Sequence, residues 1–107
     1  MQHLTTPELA AWIANSSRQK PVLLDVREPW EFRTCCIDRS FNIPMHTIPG
    51  KLSELDAVQP IVCICHHGVR SLQVGLFLEQ HGFTQVSNLT GGVHAWALQV
   101  DGSMPTY

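Results

Sequence analysis

Cys65 closes the run Pro60-Ile61-Val62-Cys63-Ile64-Cys65, and His66-His67-Gly68-Val69-Arg70-Ser71 follows it. A buried strand that ends on a cysteine, a short loop with a glycine and then a helix start make a setting for an anionic sulfur. Backbone N–H groups at a helix N-terminus, together with the helix dipole, favour negative charge there. The thiolate is the nucleophilic form of cysteine, and such electropositive surroundings favour it. Gly68 permits a backbone conformation that a side chain would obstruct. Arg70 brings a fixed positive charge and a fork of donors. Ser71 offers a hydroxyl to the sulfur or a cap to the helix. Taken alone, Cys65 reads equally as a small hydrophobe in a core. Glycine three residues later, with Arg-Ser at five and six opening an amphipathic helix, favours the nucleophile.

Other residues carry two readings each. His66 and His67 titrate near neutral pH and could help hold an anionic donor, or be plain loop residues with exposed rings. Asp25 and Arg27 lie at the end of a strand, on the edge where the loop should sit. They could orient the loop from behind, or form a helix-entry cap or an ion pair, the commoner use of Asp there. Cys63 shares a face with Cys65 by the two-residue strand period and reads as core. Trp12, Trp30 and Trp96 sit on apolar helix stripes and also read as core. Cys35 and Cys36 could supply a resolving thiol or be incidental to their loop. Their adjacency is poor spacing for structural zinc.

Elements that position these residues follow from pattern. Thr5-Thr6-Pro7-Glu8 starts a helix, with either threonine as cap. Leu9, Trp12 and Ile13 form its stripe, and Asn15-Ser16-Ser17 ends it. Pro21 to Val26 reads as a strand buried on both faces, Glu28-Pro29 as a helix start, and Phe41-Asn42-Ile43-Pro44 as a short strand. Lys51 to Leu55 could make one or two helical turns. Pro60 to Cys65 is a β-branched strand opened by proline. Arg70 to His81 is helical, with Leu72, Leu76 and Phe77 as its apolar face and Val74 and Leu78 alongside, and Gly82 stops it. Gln85 to Leu89 is a strand, Gly91-Gly92 a turn, and Val93 to Val100 a helix with Val93, Trp96 and Val100 on one side. Strand and helix alternate throughout, which predicts one α/β domain over residues 1–107. Its central sheet is mostly parallel, with helices on both faces. Chemistry in such sheets gathers at the carboxyl ends of the strands.

Composition narrows the function classes. At 44% hydrophobic and 15% charged, the 107 residues are ordinary for a globular domain. A net charge of −2 gives no case for nucleic acid. No apolar run approaches the roughly 20 residues that span a bilayer, and Met1 to Pro7 lacks the features of a signal peptide. The expected compartment is the cytoplasm, where thiols stay reduced and cysteines serve catalysis more often than bridges.

Cys65-x-x-Gly68-x-Arg70-Ser71 resembles the active-site loop of single-domain members of the rhodanese family. Leu24-Asp25-Val26-Arg27-Glu28-x-x-Glu31-Phe32 resembles the family's amino-terminal signature, and Asn88-Leu89-x-Gly91-Gly92-x-x-Ala95-Trp96 its carboxy-terminal one. With Phe41-Asn42-Ile43-Pro44, the likeness runs from residue 4 to about residue 98. The family usually shows Gly-His-Ile-Pro-Gly-Ala where this chain has Cys35-Cys36-Ile37-Asp38-Arg39-Ser40.

The resemblance implies a five-stranded parallel sheet flanked by helices, and sulfur transfer by double displacement. Cys65 would take the outer sulfur of a donor such as thiosulfate, or of a protein persulfide, and pass it to cyanide or a thiol. Such chemistry requires neither cofactor nor metal. Three rivals are set against it. Cysteine phosphatases of the same fold place five residues between Cys and Arg, whereas four lie between Cys65 and Arg70. A non-catalytic binding module of this family usually lacks the cysteine. A redox protein would pair Cys35 or Cys36 with Cys65.

Overall fold

Cys65 follows directly on the central strand of a five-stranded parallel sheet. The computed structural model describes residues 1–107. Strands β1 (Gln2–Leu4), β2 (Val22–Asp25), β3 (Phe41–Asn42), β4 (Ile61–Ile64) and β5 (Val86–Leu89) form one sheet in the order β1-β5-β4-β2-β3. Every pairing is parallel. The best apolar run, β4, takes the centre, where both faces are covered.

Side-chain alternation along β4 divides the core in two. Ile61, Cys63 and Cys65 face one layer with Val74, Leu78 and Phe83, beneath helix α3 (Val69–Gln80) and a 3₁₀ stretch, Met45–Glu54. Val62 and Ile64 face the other layer with Leu9, Trp12, Val93 and Trp96. Helices α1 (Thr6–Ala14) and α4 (Gly92–Gln99) supply that layer, and the short helix α2 (Pro29–Thr34) precedes β3. No helix is long and apolar enough to cross a membrane.

Local capping follows the sequence closely. Thr5 caps α1: its hydroxyl accepts from the Glu8 amide while Glu8 accepts from the Thr5 amide, a reciprocal capping box. Pro29 stands in the first turn of α2 behind Glu28.

Several expectations need correction. Gln2–Leu4, where the residues show no pattern, forms β1. It is a three-residue edge strand, too short to show a period. The turns expected over Lys51–Leu55 belong to a longer 3₁₀ stretch that begins at Met45. The buried stripe of α3 is Ser71, Val74, Gly75 and Leu78, whereas Leu76 is exposed. The helix is rotated from the phase its leucines suggest, because Gly75 lies against Val86 and Met1 and Ser71 turns inward. Trp30 is 56% exposed rather than core, and its ring meets Tyr107 edge-on at 5.8 Å. Val100 is exposed as well.

The Cys35–Ser40 segment keeps a tight turn without the family's glycines. Ser40 donates to the Ile37 carbonyl through both its amide (3.1 Å) and its hydroxyl (2.6 Å). Arg39 takes the left-handed backbone, φ +68°, at the place where the family's pattern has its second glycine.

Candidate active site

β4 delivers Cys65 to the carboxyl edge of the sheet, 1% exposed, at the foot of the loop that leads into α3. The Gly68 amide donates to Cys65 Sγ at 3.0 Å, and Ser71 Oγ lies 3.3 Å from the same sulfur. Gly68 is the N-cap of α3 with φ +103°, a backbone that side chains rarely adopt. A Cβ there would also press on Leu89 O and Gly91 N, each at 3.2 Å. The loop is therefore folded back against the turn between β5 and α4.

That turn is the loop's scaffold. Gly92, at φ +59°, has no room for a side chain, since a Cβ would run into the Cys65 and His66 carbonyls. This close approach lets the first amides of α4 reach the loop. Val93 N–H donates to Cys65 O at 2.9 Å, and His94 N–H donates to His66 O at 3.1 Å. Asn88, on β5 and buried, completes the scaffold. Its Nδ2 donates to Gly68 O at 3.1 Å, and its Oδ1 accepts from Ser71 Oγ at 2.5 Å. The serine has one proton to share between Asn88 and the sulfur. Asn88 was not picked out as a site residue, though a buried amide inside an apolar strand is a signal that could have found it.

Arg70 hydrogen-bonds Glu31 rather than the sulfur, and the Cys65 charge acts on it only through space. Its guanidinium forms a two-pronged pair with Glu31, Nη1–Oε1 2.7 Å and Nη2–Oε2 2.9 Å. Glu31 Oε2 also accepts from the Tyr107 hydroxyl at 2.8 Å, and that hydroxyl accepts from Arg27 Nη1 at 2.8 Å. The Arg70 bond, ahead of burial's opposing effect, holds the Glu31 carboxyl down at about 2. The same bond holds Arg70 above its ordinary range. Burial pushes the Tyr107 hydroxyl up to about 12. Glu31 and Tyr107 were missed as site residues, and Tyr107 meets its partners only through tertiary structure.

Asp25 and Arg27 form a wholly buried ion pair, with Nη2–Oδ2 at 2.6 Å. Burial works against the Arg27 charge, but the bonds to Asp25 and Tyr107 outweigh it and hold the group above its usual range. Arg27 also donates to the Cys35 carbonyl at 2.7 Å. The pair is thus an ion pair, and Tyr107 and Glu31 connect it to Arg70 at the start of α3.

The remaining cysteines separate by face. Cys63 is fully buried one period before Cys65; burial, then the neighbouring Cys65 charge, pushes it up to about 12. Cys35 belongs to the core layer on the opposite face of the sheet from Cys65. Cys36 lines a cavity with Ala10, Ile13, Leu23 and Trp96 on that same opposite side. Neither is placed to resolve Cys65. Val69 is exposed beside the loop. His66 is half-buried and stacked on Tyr107 (centroids 3.9 Å, 6° between planes), with exposed His67 tilted against it at 4.0 Å. Burial, then the charges of His67 and His94, lower the pKa of His66.

Comparison with known proteins places this geometry in context. The model of the rhodanese-like domain matches residues 5–99. A sulfurtransferase of Allochromatium vinosum is 40% identical over 76 residues, covering 71% of each chain. A thiosulfate sulfurtransferase, GlpE, of Pseudomonas syringae is 35% identical, covering 73% of this chain and 74% of its own. In structure, a rhodanese-like domain protein of Staphylococcus aureus superposes with a TM-score of 0.85 at 32% identity, covering 100% of this chain and 99% of its own. Some relatives are longer: the chain covers only 34% of a chloroplastic rhodanese-like/PpiC domain protein of Arabidopsis thaliana.

Proposed function

Because the chain belongs to the rhodanese-like domain family, we propose that it is a sulfurtransferase that carries sulfane sulfur as a persulfide on Cys65. The observation that carries this reading is the contact of the Gly68 amide with Cys65 Sγ at 3.0 Å, at the N-terminus of α3. Relatives whose names state sulfurtransferase activity support the enzyme class.

The step is a double displacement. The Cys65 thiolate attacks the outer sulfur of a donor such as thiosulfate; a new S–S bond forms, the donor's S–S bond breaks, and sulfite leaves with the bonding pair. Cyanide or a thiolate then attacks the outer sulfur of the persulfide, and the Cys65 thiolate departs. Splitting one difficult transfer into two is the gain of covalent catalysis. The Gly68 amide is the donor to the anionic Cys65 sulfur, with the Ser71 hydroxyl sharing its one proton between that sulfur and Asn88 Oδ1. The first-turn amides of α3, which lack acceptors within their own helix, are available to the outer sulfur. No cofactor is needed for either half. A protein persulfide is the alternative donor, since both sources present the same electrophilic sulfur.

Phosphate chemistry fits less well. Four residues separate Cys65 from Arg70, and Glu31 already occupies both prongs of the guanidinium. The test is thiocyanate formation from thiosulfate and cyanide. Wild type should produce it and folded Cys65→Ser should not. Substantial production by the folded variant would remove Cys65 from the mechanism.

A further inference from the structure

His66 and His67 follow Cys65 directly, and His94 lies in the first turn of α4, tied to the loop by the hydrogen bond that its amide N–H donates to His66 O. One ring nitrogen from each of the three histidines lies within 4.8 Å of the other two. The ring centroids are 4.0 Å apart for His66 and His67, 5.0 Å for His67 and His94, and 6.0 Å for His66 and His94. His66 Nε2 and His94 Nδ1 are buried with no hydrogen-bond partner. Buried polar atoms almost always find a partner, so two orphans in one cluster need an explanation. Stacking does not give one: the Tyr107 ring covers the face of His66, whereas its nitrogens lie on the ring edge.

We propose that His66, His67 and His94 form a binding site for a divalent ion of the zinc class, on the rim of the Cys65 loop. Three imidazoles with a fourth position open to solvent are a ligand set that zinc accepts, and imidazole nitrogens suit zinc, copper and nickel better than magnesium or calcium. Tetrahedral zinc with bonds of about 2.0–2.1 Å sets its ligand nitrogens roughly 3.3 Å apart. The cluster is somewhat wider than that, and exposed His67 has the freedom to close it. Tyr107, stacked on His66, and the α4 amide on the His66 carbonyl hold the rest of the site in place. The ion sits beside the sulfur rather than on it and takes no part in the displacement. Because His66 directly follows Cys65, an ion held there crowds the approach to the sulfur and slows sulfur transfer; that consequence alone rests on the sulfurtransferase reading.

Zinc titration against a chromophoric chelator tests the site without any assay of activity. One equivalent should bind to the wild type and to Cys65→Ser alike, and His67→Ala and His94→Ala should each weaken binding about tenfold or more, the least expected when a ligand is lost. Cobalt(II) gives a second readout: visible d–d bands without a near-ultraviolet thiolate band. Absence of binding, affinity unchanged in both histidine variants, or a thiolate-to-cobalt band would each overturn the proposal. An apoprotein that fails to form thiocyanate would count against the sulfurtransferase reading and leave the titration untouched.

Discussion

Arg70 turns its guanidinium onto Glu31, with N–O distances of 2.7 and 2.9 Å, and so anchors the start of α3 to α2. Glu31 side-chain exposure is only 6%, so its charge depends on this partner and on Tyr107. A carboxyl held at about 2 contributes its full stability above the ordinary Glu value of about 4.3, and that contribution is lost as pH falls toward 2. Urea midpoints of the wild type should therefore fall across this interval, and those of Glu31→Gln should fall less. At neutral pH, Glu31→Gln should cost about 1.5–3 kcal/mol, the worth of hydrogen bonds to charged groups. Parallel curves for the two proteins between these values would show that Glu31 is not the group at work.

Asn88 holds both ends of the loop-to-helix junction, through Gly68 O and Ser71 Oγ. Asn88→Ala should cost about 1–3 kcal/mol by leaving buried partners unmet. It should also lower kcat/KM for thiocyanate formation, since Gly68 then loses its support while its amide must face the sulfur. A variant with unaltered turnover would mean that the turn between β5 and α4 suffices by itself.

Gly92 and Gly82 both have positive φ, but only Gly92 has neighbours where a Cβ would go. Gly82→Ala should cost about 1–2 kcal/mol, the left-handed backbone term alone. Gly92→Ala should cost more and should impair sulfur transfer, because the collision is with the Cys65 and His66 carbonyls. Equal losses in urea unfolding would show that the close approach is relaxed at little cost.

Arg39 holds a left-handed backbone without being glycine. Arg39→Gly should stabilise the protein by up to about 1 kcal/mol, the left-handed penalty less glycine's own entropy cost. A loss of stability on urea unfolding would mean that the Arg39 side chain makes up for its backbone.

The sequence disclosed whatever rests on neighbours along the chain. The Thr5–Glu8 capping box, the apolar β4 run and the Cys65–Ser71 loop are local patterns, and each appears in the structure where the residues predict it. Long-range contacts were hidden. Tyr107 meets Glu31 and Arg27 from 76 and 80 positions away. Trp30 reads as core on an apolar helix stripe, yet α2 is only six residues long and lays that ring on the surface. The apolar side chains of α3 give no sign that Ser71 and Gly75 belong to its buried face, because it is the site and the sheet that bury them. Gln2-His3-Leu4 shows no pattern because an edge strand of three residues draws its stability from β5, not from its own side chains.

Cys65 is the residue proposed to carry the sulfur. Incubation with thiosulfate, followed by intact mass measurement and peptide mapping under non-reducing conditions, locates the added atom directly. One extra sulfur is expected on the peptide containing Cys65, removed by cyanide, with Cys63 unmodified. Cys63 is fully buried, and its thiol is pushed up to about 12. Sulfur found on Cys36 instead, or no gain of mass with thiosulfate or with a protein persulfide, would contradict that assignment.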